Sequence, residues 1–251
     1  MILNKNKFNL TYINNSLLIA VASHLEKLNN FINKYRSNLD KVLVLEAGCG
    51  SISHIRFDES AIIHGIDISQ KQLDRNKYLH KKILGDLHTH NLGDELYNII
   101  VCWDVLEHLE KPLAAIDNMT KALLKDGILI IKVPNVLSIK GLITKFTPYV
   151  FHNSIYKYIF KRKTSTKEDI GPFKTHLKFS IRKQSLVNYL KDRMKVVYND
   201  EYDISDLSQF YKKSVTLRIF LKAYRRIKNV VKIITFGKID NSEFIIIFQK
   251  I

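Results

Sequence analysis

The chain has 251 residues, 46% hydrophobic and 25% charged, with 9 Gly and 4 Pro. This is globular usage and excludes a disordered or collagen-like chain. Lys+Arg number 40 against 24 Asp+Glu, a net charge of +16, and two cysteines, Cys49 and Cys102, exclude a multi-disulfide scaffold and a four-cysteine zinc site.

Leu18, Val21, Ala22, Leu25, Leu28, Ile32, Tyr35 and Leu39 recur at three- and four-residue spacing. They predict an amphipathic helix over 16–38 with Ser16 as its N-cap. Short β-rich runs follow at 42–45, 61–66, 82–85, 98–102 and 127–133, with helix-like segments at 70–80 and 112–124 between them. Continuous apolar strands alternating with helices predict a buried parallel sheet. After Pro134 the rhythm breaks into an irregular aromatic and basic stretch over 138–178. A helix near 180–194 and a strand at 195–198 resume it, a second basic insertion spans about 204–238, and 243–249 reads as a last strand.

The first strand runs into Glu46-Ala47-Gly48-Cys49-Gly50, and the second ends on Asp67. Glycines allow backbone to approach a ligand closely, and an acid at the next strand's end can accept from both hydroxyls of a ribose. The G-x-G-x-x-G dinucleotide fingerprint is absent, since Ser53 holds its third glycine position. Four motifs in order, Glu46–Gly50, Gly65-Ile66-Asp67, Gly85-Asp86-Leu87 and Cys102-Trp103-Asp104-Val105-Leu106-Glu107-His108, resemble the class I S-adenosylmethionine (SAM)-dependent methyltransferases. The nearest flavour is the ubiquinone-biosynthesis-type O-methyltransferases.

The resemblance implies an α/β fold: a Rossmann-like, doubly wound sheet, mostly parallel, with an antiparallel C-terminal strand and two basic insertions. It divides the chain into a helical cap (1–40), a SAM-binding core (41–137), an aromatic and basic insertion on the acceptor side (138–178), and a segment completing the sheet (179–251). Glu46 would meet the methionine amino group, with Gly48 and Gly50 packed against the methionine part. Asp67 would hold the ribose, Ile68 would lie on the adenine, and Asp86 and Leu87 would flank its amino edge. Cys102 and Trp103 would line the cofactor near its sulfonium. Ile52 stands where many members carry a third glycine.

A hydroxyl acceptor needs a base, for which histidine is suited near neutral pH. His108 follows the fourth strand on the ligand-binding edge, while His152 and His176 belong to the first insertion; His108 and His176 are the expected catalytic residues. No cluster has metal-ligand spacing, so no metal is expected. The charge is unevenly placed: residues 1–137 hold 16 Lys+Arg and 15 Asp+Glu, and residues 138–251 hold 24 and 9. That asymmetry points to an anionic acceptor, a small molecule or a glycan- or lipid-linked one, and to a peripheral membrane surface as a further partner. Nucleic acid is the weaker expectation, because Val133-Pro134-Asn135 is not the sequence used on base amino groups and no RNA-binding module is present. A third reading, a non-catalytic membrane-surface or partner-binding protein on this fold, rests on Ile52. The opening residues lack a signal-peptide apolar region and no apolar run is long enough to span a bilayer, so the expected location is cytoplasmic, at most membrane-peripheral.

Overall fold

The computed structural model describes residues 15–37, 39–138, 141–142, 145, 175–203, 215–234 and 241–251. They form helix α1 (Asn15–Arg36), strands β1 (Val42–Ala47) and β2 (Ala61–Asp67), and helix α2 (Gln70–Arg75). Strands β3 (Lys81–Leu84) and β4 (Tyr97–Trp103), helix α3 (Pro112–Ala122) and strand β5 (Leu123–Pro134) follow. Helix α4 (Lys183–Leu190), strand β6 (Met194–Tyr202), helix α5 (Val215–Ile234) and strand β7 (Glu243–Lys250) complete the order.

One seven-stranded sheet has the order β3-β2-β1-β4-β5-β7-β6. β1 to β5 pair in parallel, and β7 runs antiparallel to both β5 and β6. Side chains alternate across this sheet, so each strand feeds two cores. Val42, Val44, Ile99, Val101, Ile128 and Ile130 pack on the face covered by Leu28 and Ile32 of α1. Leu45, Ala47, Ile100, Leu129 and Ile131 pack on the other, under Ile116 and Met119 of α3 and Leu186 and Leu190 of α4. The edge strand β6 is half exposed and breaks register between Val196 and Tyr198, an irregularity that discourages pairing with another sheet.

Several sequence expectations shift. Ser16 is itself helical in α1 and so does not cap it. α2 ends at Arg75 instead of 80, because Asn76 turns extended (φ −76°, ψ 109°) and its amide caps Gln72 and Leu73 carbonyls. Ser69 caps the other end of that helix, accepting from the Gln72 amide. β5 begins at Leu123, paired with Tyr97, which shortens α3 to Ala122. The helix expected over 180–194 is a 3-10 turn (Phe179–Ile181) followed by α4, and the strand after it extends to Tyr202. Most of the first insertion, His152 included, lies outside the described residues. No helix among the described residues is long and apolar enough to cross a membrane.

Candidate active site

Strand order reverses between β1 and β4, and in such sheets ligands bind beyond the carboxyl ends of the strands at that switch. The glycine turn after β1 sits there. Gly48 has φ +69° and donates to the Ile66 carbonyl at 2.8 Å; a Cβ in its place would lie 2.5 Å from Val105. Gly50, at φ +53°, has open space where a Cβ would be, so its backbone is approachable. Its amide donates to Asp67 Oδ2 at 2.9 Å, which locks the turn to the end of β2. Asn76, completely buried, reaches the carbonyls of Cys49 and Gly50 at 3.4 Å and braces the turn from behind.

Glu46 is buried at 4% exposure; Oε2 accepts from Ser53 Oγ at 2.6 Å, and Oε1 has no hydrogen-bond partner among the described residues. Burial raises its pKa to about 7, against the opposing pull of the Ser53 hydrogen bond and the Arg56 charge. Asp67 Oδ1 accepts from the Ser69 amide at 2.9 Å, and each of its oxygens keeps a lone pair for another donor. Ile68, next along, is 76% exposed and offers a bare aliphatic surface. Asp86 is also exposed; Oδ1 accepts from the His88 amide at 2.8 Å and faces His88 Nδ1 at 2.6 Å. The His88 amide bond leads in holding its pKa low, so it stays a carboxylate.

These residues fit a nucleoside bearing an amino-acid chain. Gly50 leaves room, Asp67 has acceptors for a diol, Ile68 has a face for a base, and Glu46 aims an unpartnered buried oxygen where an ammonium would be held. Leu87 and Cys102 depart from the expectation. Their side chains are 4% and 0% exposed and belong to the core beneath the turn, so they pack under the site and do not line it. Burial pushes the Cys102 thiol up, which suits a packed and unreactive residue. Trp103 is half-buried and stacks on His54, with ring centroids 5.6 Å apart. Ile52 is 59% exposed, on the open side of the turn.

With an ammonium held against it, Glu46 would make cofactor binding sensitive to pH. An ammonium partner favours the carboxylate, so binding is coupled to proton loss. Affinity for SAM is expected to climb roughly five- to tenfold between about pH 6 and pH 7.5, below the range where an α-amino group itself deprotonates. Calorimetric titrations of wild type and Glu46→Gln check this, and the variant should show weaker binding with a flat profile. An equally steep profile in the variant would remove Glu46 as the source.

Beyond β4 the chain turns at Asp104, with φ +54°, into a 3-10 turn over Leu106–His108. Lys132 of β5, buried at 6%, binds Asp104 Oδ1 at 2.5 Å and Glu243 Oε2 at 2.8 Å, and its carbonyl accepts from the Asp104 amide at 2.9 Å. Burial alone would lower the pKa of this ammonium, but the two carboxylates outweigh it and the net shift is upward. Glu107 is buried beside them, its pKa raised by burial and then by the Asp104 charge. His108 is half-buried, with Nε2 4.0 Å from Glu107 Oε1. The Glu107 carbonyl accepts from the His176 amide at 2.7 Å, which brings the backbones of the two expected catalytic histidines onto one turn. Sequence reading missed Asn76, His54, Asp104 and the Lys132–Glu243 pair. Only Lys132 left a signal, as the one cation inside the apolar run 127–133.

Residues 45–131 match the family described as "Methyltransferase domain". An uncharacterized protein of Methanocaldococcus jannaschii is 29% identical over 121 residues, covering 47% of this chain and 53% of that protein, so the chain spans about half the length of this relative. Among solved structures, a putative methyltransferase from Bacillus halodurans is similar at TM-score 0.53 and 14% identity, over 91% of this chain and 98% of its own. A SAM-dependent methyltransferase from Methanosarcina mazei is similar at TM-score 0.52 and 14% identity, over 88% and 97%. Those two structures speak for the fold; the family match falls on the segment that carries the glycine turn and its acids. Over residues 45–131 the chain is thus similar to a methyltransferase domain, set in a Rossmann-like sheet.

Proposed function

We propose that this protein methylates an oxygen of a small-molecule, glycan- or lipid-linked acceptor, with His108 as the base. The observation that carries the reading is the contact of the His176 amide with the Glu107 carbonyl. It ties residue 176, near the end of the first insertion, to the turn that carries His108, whose Val105 lies against Gly48. Bound SAM supplies an electrophilic methyl group on a sulfonium. The chain's part is to align the acceptor hydroxyl and to take its proton. Alignment is the larger contribution, since holding reactants at near-attack distance supplies much of a displacement's rate. A ring nitrogen of His108 receives the proton, on a ring whose Nε2 stands 4.0 Å from Glu107 Oε1. His176 helps to position the acceptor.

His108→Ala is expected to lower kcat about 10²- to 10⁴-fold, the usual scale of general-base catalysis, with SAM affinity near wild type. Turnover on candidate hydroxyl acceptors, measured beside calorimetric SAM binding, tests this. Full activity in the variant would remove His108 as base, and methylated products carrying N-methyl or C-methyl groups would overturn the oxygen acceptor.

A further inference from the structure

Helix α5 (Val215–Ile234) is unlike the other helices among the described residues. Its sequence contains Arg218, Lys222, Arg225, Arg226, Lys228 and Lys232 and no acid, and the acid-free stretch around it runs from Leu207 to Ile239. Among its described side chains, Ile219, Ile227, Val230, Ile233 and Ile234 are 63%, 58%, 54%, 75% and 70% exposed. At about 100° per residue these five fall within an arc of roughly 120°, with Arg226 inside it and Lys222 and Asn229 along its border. Single exposed aliphatics are ordinary on a protein surface, but five in one arc of one helix are not.

We propose that α5 docks the protein on an anionic lipid bilayer. The helix lies in the plane of the interface, its aliphatic arc in the acyl boundary and its cations among the headgroups. The charge pattern selects this occupant. A second copy of the chain would bring two acid-free, all-basic helices together. A nucleic acid would satisfy the cations and leave the branched aliphatics in water. An apolar protein surface would do the reverse. An anionic bilayer takes both faces at once, and Arg226 can extend its head past the aliphatic arc to the phosphates.

The helix is also tethered in a telling place. The chain leaves β6 at Tyr202 and re-enters β7 at Glu243, two residues paired with each other, and Glu243 pairs in turn with Pro134 at the carboxyl end of β5. Both attachments therefore lie at the sheet edge that bears the active site. The segment that carries α5 thus departs from and returns to the end of the sheet that bears the candidate site, the end that a lipid-linked or membrane-dissolved acceptor would enter. The docking bears on the acceptor proposed above but does not rest on it.

The test is co-sedimentation of the full chain, without SAM, with vesicles of phosphatidylcholine alone or of phosphatidylcholine and phosphatidylglycerol at about two to one. Binding to the mixed vesicles at least about tenfold tighter than to the neutral ones, and weakening with salt, is the expected result. Ile227→Asp combined with Ile233→Asp should reduce that binding by about tenfold or more while leaving calorimetric SAM affinity unchanged, since both residues are exposed and distant in sequence from the cofactor motifs. No binding to mixed vesicles, equal binding to both kinds, or undiminished binding by the double variant would overturn the proposal. So would retention on RNA with none on vesicles. Vesicle binding by a chain that fails to bind SAM would uphold the docking and remove the catalytic reading.

Discussion

Lys132→Met is expected to destabilise the protein by about 3–5 kcal/mol at neutral pH, the usual cost of removing one partner from a buried ion pair. The ammonium stands between Asp104 and Glu243, and the latter is 2% exposed. Without Lys132 the Glu243 carboxylate stays buried near Glu107, whose pKa burial already raises. The pH dependence follows from the sign of that shift. A carboxyl whose folded pKa lies above its unfolded value favours the folded state when protonated and opposes it when ionised. The deficit should therefore be larger at pH 8 than at pH 5. Urea unfolding across that range checks both size and slope. The double variant Lys132→Met, Glu243→Met should recover much of the loss, because a well-packed apolar pair replaces an uncompensated charge. A single variant within about 1 kcal/mol of wild type would show that the network does not hold this edge of the sheet.

Asp67→Ala is expected to weaken SAM binding by roughly 10²-fold or more, from the loss of two charge-assisted hydrogen bonds to a diol. A second contribution comes from the turn. Asp67 Oδ2 accepts from the Gly50 amide, so its removal frees the loop whose open backbone the cofactor would approach. Asp67→Asn separates the two effects: an amide oxygen can still accept from Gly50, yet the charge is gone. The expected order of affinity, by calorimetry, is wild type, then Asn, then Ala. Unchanged affinity in the alanine variant would sink the ribose assignment.

Much of this arrangement could be read from residues. Strands β1, β2, β4 and β5 are legible because a parallel sheet covered on both faces gives near-unbroken apolar runs, and Glu46 and Asp67 because they end such runs; β3, exposed at the sheet edge, offers only Ile83 and Leu84 before Gly85 and Asp86. The boundaries that moved did so for tertiary reasons. α2 stops at Arg75 because Asn76 is drawn into bonds with the glycine turn, and no helical periodicity encodes that. β5 gains Leu123 because Tyr97 lies across from it. Cys102 and Leu87 read as site residues from their place in the motifs, yet a motif position does not tell whether a side chain turns to the ligand or to the core, and both of these turn to the core. Lys132, Glu243 and Asp104 come from three separate stretches, and only the sheet register makes them neighbours. The histidines illustrate both sides: His108 was placed by its motif, whereas the approach of residue 176 to it depends on a backbone contact with no sequence signature.

The antiparallel strand β7 carries a consequence for how the molecule is made. Its partners are β5, which precedes it by most of the basic half, and β6, which has no other neighbour in the sheet. A ribosome releases β1 to β5 well before it releases residues 243–250. Throughout that interval Ile128, Leu129, Ile130 and Ile131, all without exposure in the finished fold, form an open edge with unpaired amides and carbonyls. Synthesis therefore passes through a stage in which the cofactor half is shaped but unsealed, and the last strand out is the one that closes it. A chaperone that covers this edge during that interval should raise the yield of folded protein.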